Sequence, residues 1–262
     1  MIKLPYVEQG DATGVPVVML HGVTDSWRSY EPVLPYLPDD IRAVAVTQRG
    51  HGDAPKPESG YLIEDLAGDV VGLMDELEIG RAVVVGHSMG SWVARQIALE
   101  HPERVLGLVL AGSFRAQVAG DPETAAAMRE LADVPDPVTD AVARVFQEST
   151  LAQPIVPEQL DTFVAESLKV PARAWRDLFL GFAEIDQSDG LAELEMPALL
   201  VWGDRDAFIP RQVQDELLET LPDARLEVYE RVGHAVHWER PRRFARDVAA
   251  FSRYSAGLQL SR

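Results

Sequence analysis

Val83-Val84-Val85-Gly86-His87-Ser88-Met89-Gly90-Ser91 is the stretch that decides the fold. A β-branched apolar run stops at a glycine, a serine follows two residues later, and a second glycine two after that. Trp92-Val93-Ala94-Arg95-Gln96-Ile97-Ala98-Leu99 then brings helical spacing and good helix formers. The pattern reads as strand, tight turn, helix, with Gly-x-Ser-x-Gly on the turn. Such a turn strains the backbone at Ser88, and a Cβ at either flanking position would crowd it; Gly86 and Gly90 remove that crowding. A hydroxyl is then held out above a sheet, with the Met89 amide beside it at a helix N-terminus.

Working outward, strands and helices alternate. Val15–Leu20 is a continuous apolar run, a buried strand leading into His21-Gly22-Val23. Residues 30–37 predict a short helix and residues 42–46 the next strand, which runs into the glycine-rich loop Gln48-Arg49-Gly50-His51-Gly52-Asp53. Leu66, Val70, Leu73, Met74 and Leu77 form a helical stripe, and Val105–Ala111 is another buried strand. Ahead of Val15 there is room only for one or two short antiparallel edge strands, Tyr6-Val7-Glu8 among them. This alternation predicts an α/β fold, a doubly wound and mostly parallel sheet with helices on both faces. Ligands of such sheets sit at the carboxyl ends of the strands, where His21, Ser88 and the Gly50 loop all fall.

Residues 115–190 break the pattern. Helix starts are marked by Asp121-Pro122, Asp136-Pro137, Pro157 and Pro171, and Trp175, Leu178, Phe179 and Phe182 follow a helical stripe. We expect three or four helices here, a lid inserted into a core made of residues 1–114 and 191–262. Alternation resumes with a strand at 198–202, a helix at 211–221, a strand at 226–229 and a closing helix at 241–254, leaving 255–262 as a frayed tail.

Composition narrows the function classes. The 262 residues carry a net charge of −18, a surface that repels nucleic acid and anionic lipid. With no cysteine there is no disulfide, thiolate nucleophile or cysteine-ligated metal, and three lysines leave few catalytic amines. The Met1-Ile2-Lys3-Leu4-Pro5 start lacks an apolar core and cleavage site, and no run approaches the ~18 apolar residues of a membrane span. A cytoplasmic protein is therefore expected. The histidines lack metal-ligand spacing, and the Gly50 loop lacks the Lys-Ser/Thr of a nucleotide-binding loop. The oligomeric state stays open, a homodimer included.

A serine hydroxyl needs a base, and the base an orienting acid. Gly203-Asp204-Arg205-Asp206 and Gly233-His234 follow two later strands and open on the face of Ser88. Asp204 competes with Asp206 for the acid, and His237 with His234 for the base.

His21-Gly22, Arg49-Gly50-His51-Gly52, Gly86-His87-Ser88-Met89-Gly90, Trp202-Gly203-Asp204-Arg205-Asp206 and Gly233-His234 with Glu239 and Pro241 resemble the α/β-hydrolase superfamily, in its lid-bearing esterase, lactonase and non-haem perhydrolase branch. The resemblance spans about residues 15–250 and is specific to the superfamily rather than to a substrate. It implies Ser88 as nucleophile, His234 as base, Asp206 as acid, the backbone amides of Val23 and Met89 as oxyanion donors, and no cofactor. Haloalkane dehalogenases and epoxide hydrolases of this fold use Asp where Ser88 stands, so serine favours acyl chemistry on a small hydrophobic ester or lactone. Carbon–carbon hydrolases of ring-cleavage products also use Ser, typically in Gly-x-Ser-Met-Gly-Gly; here Ser91 replaces the last glycine. Trp27, Phe146, Trp175 and Phe179 are the substrate-contact candidates, with simple packing as the alternative for each. A small-molecule receptor on the same fold is the reading from another class.

Overall fold

The computed structural model describes residues 2–260, with side chains through residue 257. Strands β1 (Tyr6–Gln9), β2 (Val15–Leu20), β3 (Ile41–Val46), β4 (Ala82–His87), β5 (Val105–Ala111), β6 (Ala198–Gly203) and β7 (Ala224–Tyr229) form a seven-stranded sheet in the order β1-β3-β2-β4-β5-β6-β7. β1 runs antiparallel to β3 and every other pair is parallel.

The central strands are apolar on both faces because both faces are covered. Val18, Leu20, Val84, Leu108, Leu110 and Leu200 point into one core, with α1 (Ile63–Glu76) and α2 (Met89–Glu100). Their alternates Val17, Met19, Val83, Val85, Val109 and Val201 point into the other, against α9 (Pro241–Leu260). Arg225 and Glu227 place charge on the edge strand β7.

Four helices lie between β5 and β6: α3 (Pro122–Leu131), α4 (Asp140–Ser149), α5 (Pro157–Ser167) and α6 (Ala172–Phe182). α7 (Arg211–Thr220) and the single turn α8 (Val236–Glu239) complete the set. Among the described residues no helix is long and apolar enough to cross a membrane.

Three local expectations need correction. Residues 30–37 do not make one helix; the chain makes two 3-10 turns, Trp27–Tyr30 and Leu34–Tyr36, because Pro35 has no amide to continue a ladder. The helix placed at Asp136-Pro137 starts at Asp140, where the Thr139 hydroxyl caps the Val142 amide. The expected frayed tail is helical to Leu260. Ser255 is fully buried and donates to the Phe251 carbonyl, in space that Gly107 leaves open: a Cβ there would stand 2.7 Å from the Ser255 hydroxyl. Residues 261–262 of that expectation lie outside the described residues.

Strand order fixes where a ligand can enter. The chain leaves β2 toward β3 on one side, then returns to place β4 on the other. The loops after β2 and β4 therefore part, and a crevice opens between them at the carboxyl ends. Buried imidazoles brace its walls. His21 donates from Nδ1 to the Gly22 carbonyl at 2.7 Å and accepts the Gln48 amide at Nε2. His51 donates to the Arg49 carbonyl at 2.8 Å, and His87 to the His234 carbonyl at 3.2 Å.

Two expected outcomes follow from this packing. A Cβ at Gly86 would collide with the Gly90 carbonyl, and one at Gly90 with the Leu20 carbonyl of β2. Gly86→Ala or Gly90→Ala should cost at least about 3 kcal/mol in urea unfolding. Gly68→Ala, exposed on α1 with nothing within 4 Å, should instead stabilise by about 0.5–1 kcal/mol. The second outcome concerns acid. Burial, above all, pushes His51 down to about 4 and His237 to about 3, and holds His21 and His87 well below the usual imidazole value. As pH falls below about 6.5, the unfolded chain takes protons that these native imidazoles refuse, so stability is lost progressively toward their folded values. Burial acts oppositely on Asp25, pushing it up to about 7, and also raises Glu239, so their contributions are lost as pH rises; they are two groups against four. The urea midpoint should be lower at pH 5 than at pH 7, and an equal or higher midpoint at pH 5 would contradict this account.

Candidate active site

Ser88 ends β4 at φ 52° and ψ −118°, a conformation that a non-glycine residue keeps only when its surroundings hold it. Three hydrogen bonds do so. The Ser88 amide donates to the Ala111 carbonyl at 2.9 Å, and the amide and hydroxyl of Ser91 both donate to the Ser88 carbonyl, at 2.8 and 2.6 Å. Ser91, the departure from a second glycine, thus ties the turn down. Helix α2 begins at Met89, so the Met89 amide is one of the N–H groups with no partner inside the helix. Val23, in the loop after β2, lines the same cavity as Ser88, and Thr24 beside it takes φ 70°.

His234 follows β7 and Asp206 follows β6. His234 Nδ1 donates to Asp206 Oδ2 at 2.8 Å. Asp206 Oδ1 accepts the amides of Phe208 and Ile209 at 2.9 and 3.0 Å, so both carboxylate oxygens are occupied and the side chain is wholly buried. Asp204 does something else: it is exposed, and its Oδ1 caps the Arg231 amide in a turn where Arg231 takes φ 58°. His237, the other rival, lies beneath the site with its Nε2 2.9 Å from the Ser29 hydroxyl. Glycines let the loops close together. A Cβ on Gly112 would stand 2.9 Å from the His234 ring, and one on Gly203 would strike the Val232 and Gly233 carbonyls.

Ser88, His234, Val23 and Met89 line one small cavity. Its inner wall is Trp92 and Phe114 with Phe182 of α6, and the helical insertion further adds Met128, Leu131, Phe146, Thr150 and Phe179. Phe208 closes the side next to His234, ring to ring at 5.2 Å. Among the described residues no Lys or Arg lines it. Among the described residues no cluster of three or more His, Asp or Glu converges as a metal site.

Of the four substrate-contact candidates, Phe146 and Phe179 reach this cavity and two do not. Trp27 packs on the core across the sheet and under the Arg28 guanidinium, its amide bound to Thr47. Trp175 is buried behind Phe146, its indole N–H held by the Leu131 carbonyl at 2.9 Å, and it faces an adjoining groove. Phe114 and Phe208 escaped sequence reading although each sits two or three residues past a strand-end glycine or acid, which is the signal that could have found them. Nothing local marks Gln147. From α4 its side-chain amide donates to Asp25 Oδ1 at 2.9 Å and to Ser167 at 2.7 Å, joining the insertion to the loop that carries Val23. Glu239 Oε1 likewise accepts the amides of Ala152 and Gly233, binding the insertion to the His234 loop.

Comparison with known proteins agrees with this architecture. A family profile for the alpha/beta hydrolase fold matches residues 15–241. The 2-hydroxymuconate semialdehyde hydrolase of Pseudomonas sp. (strain CF600) is 30% identical over 255 residues, 91% of this chain and 87% of the relative. Epoxide hydrolase 3 of Xenopus tropicalis is 27% identical, over 95% of this chain and 74% of its own. The crystal structure of the esterase RhEst1 from Rhodococcus sp. ECU1013 superposes with a TM-score of 0.82 at 26% identity, covering 96% of this chain and 94% of that one. With the sheet order, the strained Ser88 turn and a profile match across most of its length, the chain belongs to the α/β-hydrolase fold family.

Proposed function

We propose that this hydrolase-family chain is a serine hydrolase that cleaves a carboxylic ester or lactone through an acyl-enzyme on Ser88. The observation that carries the reading is an imidazole locked by a buried carboxylate on the wall of the same cavity as a strained serine. His234 takes the Ser88 proton as Oγ attacks the acyl carbon, and gives it to the leaving oxygen as the acyl C–O bond breaks. Water then repeats the cycle and frees the acid. Asp206 holds the proton on Nδ1, which leaves Nε2 free to act as base, and stabilises the imidazolium. The Val23 and Met89 amides receive the developing oxyanion; such donors contribute about 3–4 kcal/mol each. The helical insertion acts as the lid.

Two relatives point to other chemistry, and residues of this chain argue against both. Epoxide opening by this fold uses an Asp nucleophile, and position 88 is Ser. 2-Hydroxymuconate semialdehyde carries a carboxylate, and the cavity offers it no cation. An uncharged, apolar substrate suits these walls.

The test is direct. p-Nitrophenyl acetate should give a burst of p-nitrophenol equal to the enzyme present, with the acetyl group recovered on Ser88 by peptide mass spectrometry. Ser88→Ala should abolish turnover and keep the wild-type unfolding midpoint; turnover near wild type refutes the nucleophile. Asp206→Asn should lower kcat by roughly 10^3–10^4-fold, as a wrong imidazole tautomer does. Asp204→Asn should stay within about threefold of wild type, since it only braces a turn. The reverse order of these two variants would move the acid to Asp204.

A further inference from the structure

The cavity beside Ser88 is small, about 30 Å³ against about 460 Å³ for the groove that adjoins it. Its inner wall has little freedom to expand. The Trp92 ring stacks on Phe114 at 4.7 Å and lies 5.1 Å from Phe182, and its indole N–H is fixed to the Arg115 carbonyl. Such a space favours a short acyl group over a long chain.

A second space adjoins it. An open groove of about 460 Å³ runs between α3 and α4, lined by Val134, Val142, Val145 and Trp175. Leu131, Phe146 and Phe208 belong to both spaces, so these three side chains are the partition. Val145 is 67% exposed at the groove although it is apolar.

We propose that the outer groove holds the alcohol portion of an open-chain ester whose acyl portion is short, with Phe146 and Phe208 setting the boundary. This rests on the reading of Ser88 as nucleophile and His234 as proton donor to the leaving oxygen. The direction comes from that proton. The alcohol oxygen must lie on the His234 side, and Phe208, packed on the His234 ring, is the side chain that continues from there into the groove. Glu130 and Asp133 line the groove and, among the described residues, no Lys or Arg does, so an anionic alcohol is disfavoured. The partition also separates the two substrate classes. A lactone keeps its leaving oxygen tethered to the acyl carbon and must place the whole ring in the small space, whereas an ester divides its two parts between the spaces.

Two isomeric esters of equal size and nearly equal leaving-group basicity test this: octyl acetate and ethyl octanoate, with ethyl acetate as the common reference, followed by pH-stat titration. Octyl acetate should exceed ethyl octanoate in kcat/KM by at least tenfold, the scale on which pockets discriminate added methylenes. Val142→Trp, which fills the groove, and Phe146→Ala, which joins the spaces, should each lower that ratio at least fivefold, the first by losing octyl acetate and the second by gaining ethyl octanoate. Equal or better cleavage of ethyl octanoate by the wild type overturns the proposal. So does an unchanged ratio in both variants. Ethyl acetate hydrolysis that disappears in Ser88→Ala leaves the serine-hydrolase reading standing whichever isomer wins, while no hydrolysis of any ester in the set removes both.

Discussion

The approach of two backbones at the end of β4 is the constraint on which the rest depends. Helix α2 must start so close to the strand it leaves, and to β2, that positions 86 and 90 have no room for a Cβ. That closeness turns Ser88 into a left-handed conformation and lifts its side chain off the sheet. The strain is balanced locally by bonds from Ser88 to Ala111 and from Ser91 to Ser88, and globally by burial of α2 against the sheet. The Ser88 side chain is thereby held in place without any contribution from a ligand.

Around that turn most buried polar groups have a partner, although His87 Nδ1 and His237 Nδ1 have none among the described residues. Asp206 has every lone-pair direction toward His234, Phe208 and Ile209 used, and the remaining walls are aromatic or aliphatic. In such surroundings fixed dipoles act at close to full strength, because little water screens them. The same dryness explains why the bracing histidines stay neutral. It also explains the Asp25 contacts. A carboxyl beneath the site is tolerated because Gln147 and Ser29 both donate to it, and the bond from Gln147 makes the insertion and the Val23 loop one unit.

The order of elements was readable because two-faced burial leaves a plain mark: apolar runs of strand length, separated by helical stripes. Val105–Ala111 matches residue for residue, and most other boundaries shift by one or two. The misreadings have one cause. A frayed tail was inferred for residues 255–262 from position in the chain, whereas Ser255 is helical because a glycine on a distant strand leaves a place for it. Residues 30–37 read as one helix, and their two prolines, Pro32 and Pro35, stand against a continuous ladder.

The sequence by itself determined the strand–turn–helix at Ser88, the parallel sheet and the presence of an acid and an imidazole after later strands, because these follow from local sterics and periodicity. Local pattern alone could not choose among side chains of like chemistry; for Asp206 and His234 only the resemblance to the superfamily pointed to one of each pair. Asp204 and Asp206 differ only in which way their loop turns, and Trp27, Trp175, Phe146 and Phe179 are equally apolar. Tertiary structure made those choices: it paired Asp206 with His234, set Asp204 to capping Arg231, and turned Trp27 away from the cavity. The physical reason is that contact between residues tens of positions apart depends on how loops pack against one another, and no local pattern encodes that.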